Sequence, residues 1–289
     1  GMDRKVYLAA RLRPMTPREL SIGGKSCVVV DGGCTTIVNP ETGDAKAFVL
    51  DYSFDSSEPG DKTGNHADNM VVFSQIGTLM IKNGLSGFNT CLFCHGASQS
   101  GKTYSLIGQE ADPGLLPRVL ENLFQQDSII SESIVVHASF YEVIDEQLRD
   151  ILKRDFYAPG GLKVRMQGEG QGCMIEGLSR IKLETMADCE DILARVLHSL
   201  SGISPTAHTI FTIELHSTSY IPNPDPSKPP KQTLEPLAKL HLVDLAGANG
   251  GETSMVPGSK TRTSAQDKSL LAWANVMSAL AENQTLQMR

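Results

Sequence analysis

Hydrophobic residues recur along the chain with two different periods, and each period predicts one type of element. Alternating apolar and polar residues, or short apolar runs bounded by turn residues, predict β-strands at residues 5–14, 26–39, 47–54, 89–96, 132–144, 162–167, 173–184, 208–221 and 237–247. Apolar residues three and four positions apart predict amphipathic helices at residues 68–87, 114–126, 145–152, 185–200 and 267–282. The first hairpin is expected to turn at Asp31-Gly32-Gly33.

The order of these elements predicts the fold class. Strands and helices are interspersed, with no internal repeat and no linker, so we expect a single domain over residues 1–289. The expected architecture is α/β, with a central mixed, mostly parallel sheet and helices on both faces. Residues 222–236 are rich in proline, which cannot donate a hydrogen bond to a sheet ladder, and are therefore predicted to form a surface loop.

Composition narrows the class of protein. The formal net charge of the 289 residues is −7, which argues against general binding to nucleic acid or to an anionic membrane, because both need a basic face. No apolar run approaches the roughly 20 residues of a membrane span. Six scattered cysteines, two of them (Cys91 and Cys94) inside an apolar strand, indicate a reduced, cytoplasmic setting. The Gly1-Met2 start lacks the character of a signal peptide and resembles a cloning remnant before the first methionine.

A glycine-rich octapeptide follows the apolar strand at residues 89–95. It runs from Gly96 to Thr103 and fits the phosphate-loop pattern G-x-x-x-x-G-K-[ST] at each fixed position. The glycines let the backbone curl so that successive N–H groups point at phosphate oxygens. Lys102 is expected to reach the β- and γ-phosphates, and the Thr103 hydroxyl to ligate Mg²⁺. The strand–loop–helix context favours a P-loop NTPase fold over a simple glycine-rich turn.

A second strand supplies the other half of the expected site. The apolar run at residues 240–243 ends in Asp244, and Gly247 follows three residues later. A carboxylate at the end of a buried strand is a recurring partner of a phosphate loop, since it holds Mg²⁺ directly or through water. The backbone N–H of Gly247 is at a spacing where it would meet a γ-phosphate. We therefore expect Lys102, Thr103, Asp244 and Gly247 to form the catalytic group.

Several segments in succession resemble the kinesin motor domain. The stretch LSGFNTCLFCHGASQSGKTYSLIG resembles the family pattern G-[FY]-N-x-x-[IL]-F-x-Y-G-Q-T-G-S-G-K-T-Y-T-M-x-G. RLRP resembles the adenine-pocket motif R-x-R-P, and KLHLVDLAG resembles the switch II strand. Other blocks match in the family's order: GLLPRVLENLF, SFYEVIDEQLRDIL, AHTIFTIEL and KSLLAWANVMSALAE. The resemblance extends from one end of the chain to the other.

The resemblance implies a nucleotide, a metal and partners. ATP or ADP and Mg²⁺ are the implied cofactors, and microtubules (tubulin) and a kinesin partner chain are the implied partners, in a cytoplasmic, cytoskeleton-associated setting. Arg11, Arg13 and Pro14 would flank the adenine, Tyr104 would lie near the base, and the helix at residues 268–282 would be the switch II helix that faces tubulin. The implied nucleotide-binding residues are Arg11, Arg13, Pro14, Gly96, Ala97, Ser98, Gln99, Ser100, Gly101, Lys102, Thr103 and Tyr104. The implied metal ligands are Thr103 and Asp244.

Two departures from the family pattern affect the expected hydrolysis. The family's switch I motif is N-x-x-S-S-R-S-H, and alignment on His208 puts Pro205 in place of the second Ser and Thr206 in place of the Arg. The family's switch II motif is D-L-A-G-S-E, and Asn249 replaces its Glu. In the family, that Arg and Glu form a salt bridge that closes the switches around the γ-phosphate. The paired loss strands no single charge, and Thr206 and Asn249 retain the capacity for a weaker neutral hydrogen bond.

Two functional hypotheses follow. In the first, the chain is a motor domain that couples nucleotide state to microtubule binding or movement. In the second, it is a kinesin-like tether that binds nucleotide but hydrolyses it slowly or not at all. An unrelated P-loop protein such as a small GTPase is a remote third option, and the absence of an N-K-x-D base-recognition motif counts against it.

Shortened segments weaken the expected contact with microtubules. The stretch before residue 203 is several residues shorter than the family pattern. After residue 282 the family continues with an [HI]-[IV]-P-[YF]-R-[DN]-S-K-L-T-R segment and another helix, whereas residues 283–289 faintly resemble a later strand. Either these segments are deleted or the protein has residues here that these 289 do not include.

The remaining polar groups have simpler interpretations. The seven histidines form no ligand-spaced cluster and are interpreted as structural. The acidic residues between 142 and 150 are expected on a solvated helix face. Lys260, Arg262 and Lys268 either meet the acidic tubulin surface or are solvated.

Overall fold

The computed structural model describes residues 6–58, 66–153, 159–166, 173–225, 227–248 and 265–287, with side chains in the last segment described for residues 268–282. The chain forms two compact units, Gly1–Val72 with Leu271–Arg289, and Phe73–Leu270. The expectation of a single domain stays a prediction. Among the described residues, no helix is both long and apolar enough to cross a bilayer.

Up to Val72, the described residues of the first unit form five short strands and two short helices. β1 (Ala9–Leu12) pairs in parallel with β5 (Tyr52–Asp55), and a three-stranded antiparallel sheet is formed by β2 (Val28–Asp31), β3 (Cys34–Val38) and β4 (Ala45–Val49). The helices are α1 (Pro17–Ser21) and α2 (Asn69–Val72). The predicted hairpin at Asp31-Gly32-Gly33 is confirmed, and Gly32 has a φ of 55°, which favours glycine. The single strand expected at residues 47–54 is two strands, β4 and β5.

The second unit contains most of the helices and the central sheet. A π-helical turn (Phe73–Gly77) leads into α3 (Thr78–Leu85). The other helices are α4 (Lys102–Leu106), α5 (Leu115–Leu123), α6 (Asp127–Ile130) and α7 (Met186–Leu200), while α8 (Ala265–Gln287) crosses the division between the units. The strands are β6 (Thr90–Cys94), β7 (Gly108–Gln109), β8 (Asp112–Pro113), β9 (Ile134–Ile144), β10 (Gln147–Asp150), β11 (Val164–Met166), β12 (Cys173–Ile175), β13 (Ile181–Leu183), β14 (His208–Ile221) and β15 (Lys231–Asp244).

The central sheet has the strand order β10-β9-β14-β15-β6, with β13 also paired to β9. The α/β class and the mixed sheet are confirmed. The pairing differs from expectation in one respect, since β15–β6 is the parallel pair and the other described pairs of this sheet are antiparallel. Two of the four antiparallel pairs, β9–β10 and β14–β15, are hairpins, and adjacent hairpin strands run in opposite directions.

The core of the second unit lies between this sheet and its helices. Apolar residues recur at helical spacing in α5 and α7, and at every second position in β14 and β15, so each element has one apolar face. The fully buried side chains include Leu116, Leu120, Leu123, Ile192, Val196, Phe211, Ile213, Leu215, Leu240 and Leu242. Burial of each such side chain stabilises the fold by about 1.5–3 kcal/mol relative to exposure.

The segment after β9 corrects the sequence analysis. Residues 145–152 were expected to form a helix with a solvated acidic face, but β9 turns through Asp145 and Glu146 into β10. These two residues have φ values of 50° and 62°, which form a tight hairpin turn without glycine. Glu142 and Asp150 are each only 6% exposed. Asp150 accepts hydrogen bonds from the backbone N–H groups of Leu152 (2.9 Å) and Ser179 (2.7 Å), so it is a structural carboxylate.

The β14–β15 hairpin is longer than the sequence pattern suggests. β15 begins at Lys231, inside the segment predicted as a proline-rich surface loop, and contains Pro236. The register shifts between Leu215 and His216, directly opposite Pro236. A proline lacks an N–H for the ladder and is accommodated at such an irregularity. β14 pairs with β9 only as far as Ser217, and β15 pairs with β6 only from Leu240.

A pair of histidines lies on one face of the sheet. The rings of His137 on β9 and His216 on β14 meet edge to face, with centroids 5.1 Å apart. Arg180 Nη2 donates to His216 Nε2 (3.1 Å) and forms an ion pair with Glu214. Burial lowers the pKa of both histidines, and the nearby guanidinium of Arg180 lowers it further. The other charged side chains acting on the pair are Lys182 on β13 and Lys239 on β15.

Candidate nucleotide-binding site

The glycine-rich loop connects β6 to α4, as predicted. Ser100 N–H donates to the Ala97 carbonyl (3.2 Å), so the backbone curls back on itself before the helix begins. Gly101 has a φ of 94°, a conformation that favours glycine. At Gly96, a Cβ atom would lie 2.5 Å from Ser100 Oγ. Both fixed glycines of the motif are therefore required by the path of the loop.

Lys102 folds back across this loop. Its Nζ donates to the carbonyl oxygens of Gly96 (3.0 Å) and Ala97 (2.8 Å). An ammonium has three N–H donors, so the lysine remains able to donate to a further acceptor. The charged end of Lys102 therefore lies at the mouth of the curled backbone, where a phosphate group would sit.

Asp244 ends β15 beside the loop. Its register partner on the parallel strand β6 is Cys94, two residues before Gly96. The Thr103 hydroxyl donates to Asp244 Oδ2, while Asp244 Oδ1 is buried without a hydrogen-bond partner among the described residues. Burial raises the pKa of Asp244, and the hydrogen bond from Thr103 and the charge of Lys102 oppose that rise.

The buried carboxylate oxygen of Asp244 and the Thr103 hydroxyl fit a magnesium ion. Mg²⁺ prefers oxygen ligands and usually keeps several waters, so that one or two protein oxygens and substrate phosphates complete its octahedron. Among the side chains that the structure describes, no group of three or more His, Cys, Asp or Glu residues could hold a metal by itself. The arrangement is thus suited to a metal that arrives with a phosphate rather than to a closed protein site.

Gly247 lies against the phosphate loop. A Cβ atom at this position would be 2.2 Å from Ser98 Oγ and 3.0 Å from Ser98 N. The flanking backbone continues the ladder, because Leu245 N–H donates to the Cys94 carbonyl (3.2 Å) and Ala248 N–H to the Gly96 carbonyl (2.9 Å). The four residues expected to be catalytic, Lys102, Thr103, Asp244 and Gly247, are therefore on or beside one loop.

Tyr104 is fixed in place by the β7–β8 hairpin. Its hydroxyl donates to Asp112 Oδ2 (2.8 Å), and the same carboxylate forms an ion pair with Arg118 (3.4 Å). Arg118 Nε also donates to the Pro113 carbonyl (2.8 Å). The Tyr104 ring is 38% exposed. Its expected place near the base stays a prediction.

Arg11 and Arg13, with Pro14, lie in the first unit, and both guanidinium groups have local partners. Arg11 donates to Ser56 Oγ (2.9 Å) and to the Oδ1 atom of the fully buried Asn69 (2.6 Å). Arg13 makes a bidentate pair with Glu19, at 2.8 and 2.7 Å. The hydrogen bonds from Arg13, together with those from Thr16, lower the pKa of Glu19 to about 2. The expectation that Arg11, Arg13 and Pro14 flank the adenine stays a prediction.

The segment corresponding to switch I forms a tight turn. Ala207 N–H donates to the Ser204 carbonyl (3.0 Å), which places Pro205 at the second position of the turn, where proline is favoured. The Thr206 hydroxyl lies 2.8 Å from Ser204 Oγ. Asn249, Lys260 and Arg262 lie outside the described residues.

Gln99 has an unusual backbone conformation that the sequence pattern does not reveal. Its φ is 63°, in the left-handed region, and the kinesin pattern has a glycine at this position. A left-handed conformation costs a non-glycine residue roughly 1–2 kcal/mol. The substitution was visible in the sequence, but its backbone consequence was not.

The kinesin motor domain family model matches residues 11–288. The chain belongs to the kinesin motor domain family. It is 31% identical to the human kinesin-like protein KIF16B over 299 residues, which is 96% of this chain and 22% of the relative. It is also 31% identical to rat KIF1A over 293 residues, again 96% of this chain and 16% of the relative. This kinesin chain therefore spans less than a quarter of the length of these two relatives.

Solved kinesin structures share the fold. A structure described as "KIF14[391-755] - ADP in complex with a microtubule" superposes with a TM-score of 0.77 at 25% identity, over 96% of this chain and 79% of that chain. A structure of a fast kinesin superposes with a TM-score of 0.67 at 23% identity. The predicted family and the P-loop NTPase fold are confirmed.

The faint resemblance of residues 283–289 to a later strand of the family is wrong for residues 283–287, because these residues continue α8.

Proposed function

We propose that this kinesin domain binds Mg·ATP and Mg·ADP at the loop between β6 and α4 and couples nucleotide state to binding of microtubules. The observation that carries the proposal is the contact between Thr103 and Asp244 beside the curled loop that holds Lys102. Two solved relatives support it, since KIF14 is described with ADP and with AMP-PNP, each in complex with a microtubule.

Each residue of the site has a role in binding. The loop backbone donates N–H groups to the phosphates, and Lys102 neutralises their charge at the position its two carbonyl contacts define. Thr103 and Asp244 would hold the metal, and Gly247 leaves room for the γ-phosphate because it has no side chain. Bound Mg²⁺ would neutralise charge that develops on the β- and γ-phosphate oxygens. Arg11, Arg13, Pro14 and Tyr104 belong to the proposed base-binding group.

Slow or absent hydrolysis is the second candidate. Pro205 stiffens the switch I turn, and the Thr206 hydroxyl is already within hydrogen-bond distance of Ser204. Neither residue supplies the charge that the family's arginine brings, and the sequence has Asn249 in place of the partner glutamate. Loss of such transition-state positioning costs on the order of 10²–10⁴ in rate. Under this candidate the chain is a nucleotide-dependent tether with weakened microtubule contact, cytoskeleton-associated and dependent on a kinesin partner chain for movement.

The test is ATP turnover by the purified domain, with and without microtubules, alongside the amount of nucleotide retained through purification. Retained ADP or ATP at about one per chain, with strong microtubule stimulation, supports the motor and contradicts the tether. Retained nucleotide with negligible turnover in both conditions supports the tether. Lys102→Ala serves as the binding-deficient control, and a wild-type chain that retains no nucleotide and binds none on addition refutes both candidates.

A further inference from the structure

His208 joins two segments that are far apart in the sequence. It is the first residue of β14 and only 7% exposed. The backbone N–H of Ala246 donates to its Nδ1 (2.9 Å), and its Nε2 lies 2.6 Å from the Oγ of Ser269. Because Nδ1 accepts a hydrogen bond, the neutral ring carries its proton on Nε2 and donates it to Ser269. Burial lowers the pKa of His208, which favours this neutral form.

The Ala246 contact leads to the phosphate loop. Adjacent backbone N–H groups of an extended chain point to opposite sides. Leu245 donates to the Cys94 carbonyl, on the side of β6, and the next residue, Ala246, donates to His208, on the side of β14. Ala248 then donates to the Gly96 carbonyl at the start of the phosphate loop. Gly247, between Ala246 and Ala248, lies against Ser98. Residues 245–248 are therefore held between the loop and the imidazole, and a shift of the loop displaces them.

The Ser269 contact leads into α8. Ser269 is in the second turn of this helix of 23 residues. Hydrogen bonds and rigid secondary elements carry energetic coupling between sites, so a displacement of the Ser269 side chain would reach the first turns of α8. His208 is thus in direct contact both with the segment beside the phosphate loop and with the start of α8.

We propose that His208 is a positioning residue that transmits the position of residues 245–248 to the first turns of α8. The proposal rests on the proposed nucleotide binding, because it is the bound phosphate that would displace the loop. The sequence pattern alone indicates only a structural role for this histidine. A structural role and a transmitting role differ in one respect: only transmission makes the exchange behaviour of α8 depend on nucleotide through the imidazole.

The experiment compares wild type with His208→Asn and Ser269→Ala. The asparagine keeps an acceptor for Ala246 N–H but is too short to reach Ser269, and the alanine removes the same contact from the other side. Ser278→Ala is the matched control, since Ser278 is an exposed serine on the same helix. Amide hydrogen exchange over residues 265–287 is measured without nucleotide, with ADP and with a non-hydrolysable ATP analogue. Retained nucleotide is measured in parallel for every variant.

In wild type and Ser278→Ala, α8 exchange is expected to differ between the nucleotide-free and nucleotide-bound states. In His208→Asn and Ser269→Ala this difference should be smaller by about fivefold or more. All four proteins should still bind nucleotide. An unchanged difference in Ser269→Ala and His208→Asn overturns the proposal. So does identical α8 exchange in all states of a wild type that retains nucleotide, which leaves the proposed nucleotide binding standing. A wild type that binds no nucleotide overturns both. If His208→Asn fails to fold, Ser269→Ala decides the matter alone.

Discussion

Gly247→Ala provides a direct test of the geometry at the phosphate loop. The added Cβ would lie 2.2 Å from Ser98 Oγ, 3.0 Å from Ser98 N and 3.1 Å from Ser98 Cα. The hydroxyl is the end of a side chain and rotates away. The two backbone contacts remain, and they are tighter than ordinary van der Waals separation, so the loop has to move by a few tenths of an ångström.

The cost of this movement sets the expected loss of affinity. Insertion of a methyl group into a tightly packed site costs roughly 1–3 kcal/mol, and the partial relief by the Ser98 side chain puts this case at about 1–2 kcal/mol. In the free protein the loop relieves the overlap by moving away, and it must return to bind phosphate. The cost therefore appears in binding, as a nucleotide affinity roughly 5- to 30-fold weaker, because 1.4 kcal/mol is about tenfold.

The assay is a titration with a fluorescent ADP analogue in the presence of Mg²⁺. Gly33→Ala is the matched control, since a Cβ there meets only the Leu50 carbonyl oxygen, at 3.7 Å, and its affinity should equal that of wild type. Ser98→Ala combined with Gly247→Ala should recover little of the loss, because the hydroxyl rotates away in the single variant and the contacts with Ser98 N and Cα remain in both. An affinity of Gly247→Ala within about twofold of wild type, below the range that a clash of this kind predicts, would show that Gly247 does not support the loop.

Three further predictions concern pH, strain and metal. The pKa values of His137 and His216 in the folded state lie below the ordinary 6.5, so their contribution to stability is present above that pH and is lost as pH falls through the folded-state values. The melting temperature should therefore drop between about pH 7.5 and pH 5.5, and it should drop less when both histidines are changed to Gln. An equal drop in the double variant contradicts the assignment. Gln99→Gly should raise the melting temperature by up to a few degrees, since left-handed strain of roughly 1–2 kcal/mol is relieved and partly offset by glycine's larger chain entropy; a lower melting temperature contradicts the strain. Thr103→Ala should weaken ADP binding in Mg²⁺ while leaving binding in EDTA close to wild type, and equal weakening in both would mean that Thr103 acts on the phosphate rather than on the metal at Asp244.

The phosphate loop was predictable from sequence because its chemistry restricts the residues. Curling the backbone around phosphate needs glycine where a Cβ would collide, as at Gly96, or where φ is positive, as at Gly101. The end of β15 was predictable for a similar reason, since a polar residue that ends an apolar strand lies at the end of the sheet, where the strands leave the core. The strands β6 and β15 are parallel neighbours, and this brings Lys102 and Thr103, which follow β6, close to Asp244 and Gly247 at the end of β15.

The missed features depend on contacts between distant residues. Glu142 and Asp150 looked like surface charges because sequence spacing alone does not reveal a partner such as the Ser179 N–H. The turn at Asp145-Glu146 lacks the glycine that normally marks a two-residue hairpin, so the pattern suggested a helix instead. The contact of His208 with Ser269 spans 61 positions and involves residue types with many other uses.

The projecting end of the β14–β15 hairpin has a consequence for association between copies. Beyond Ser217 on one strand and before Leu240 on the other, the described residues pair these strands with each other and not with a further strand. Such open edges are templates for pairing with another chain. Here the exposed edge of β15 contains Pro236, which has no N–H to offer, and the charged residues Lys231 and Glu235. The same proline that forces the irregularity in register thus protects a long exposed ribbon against edge-to-edge aggregation.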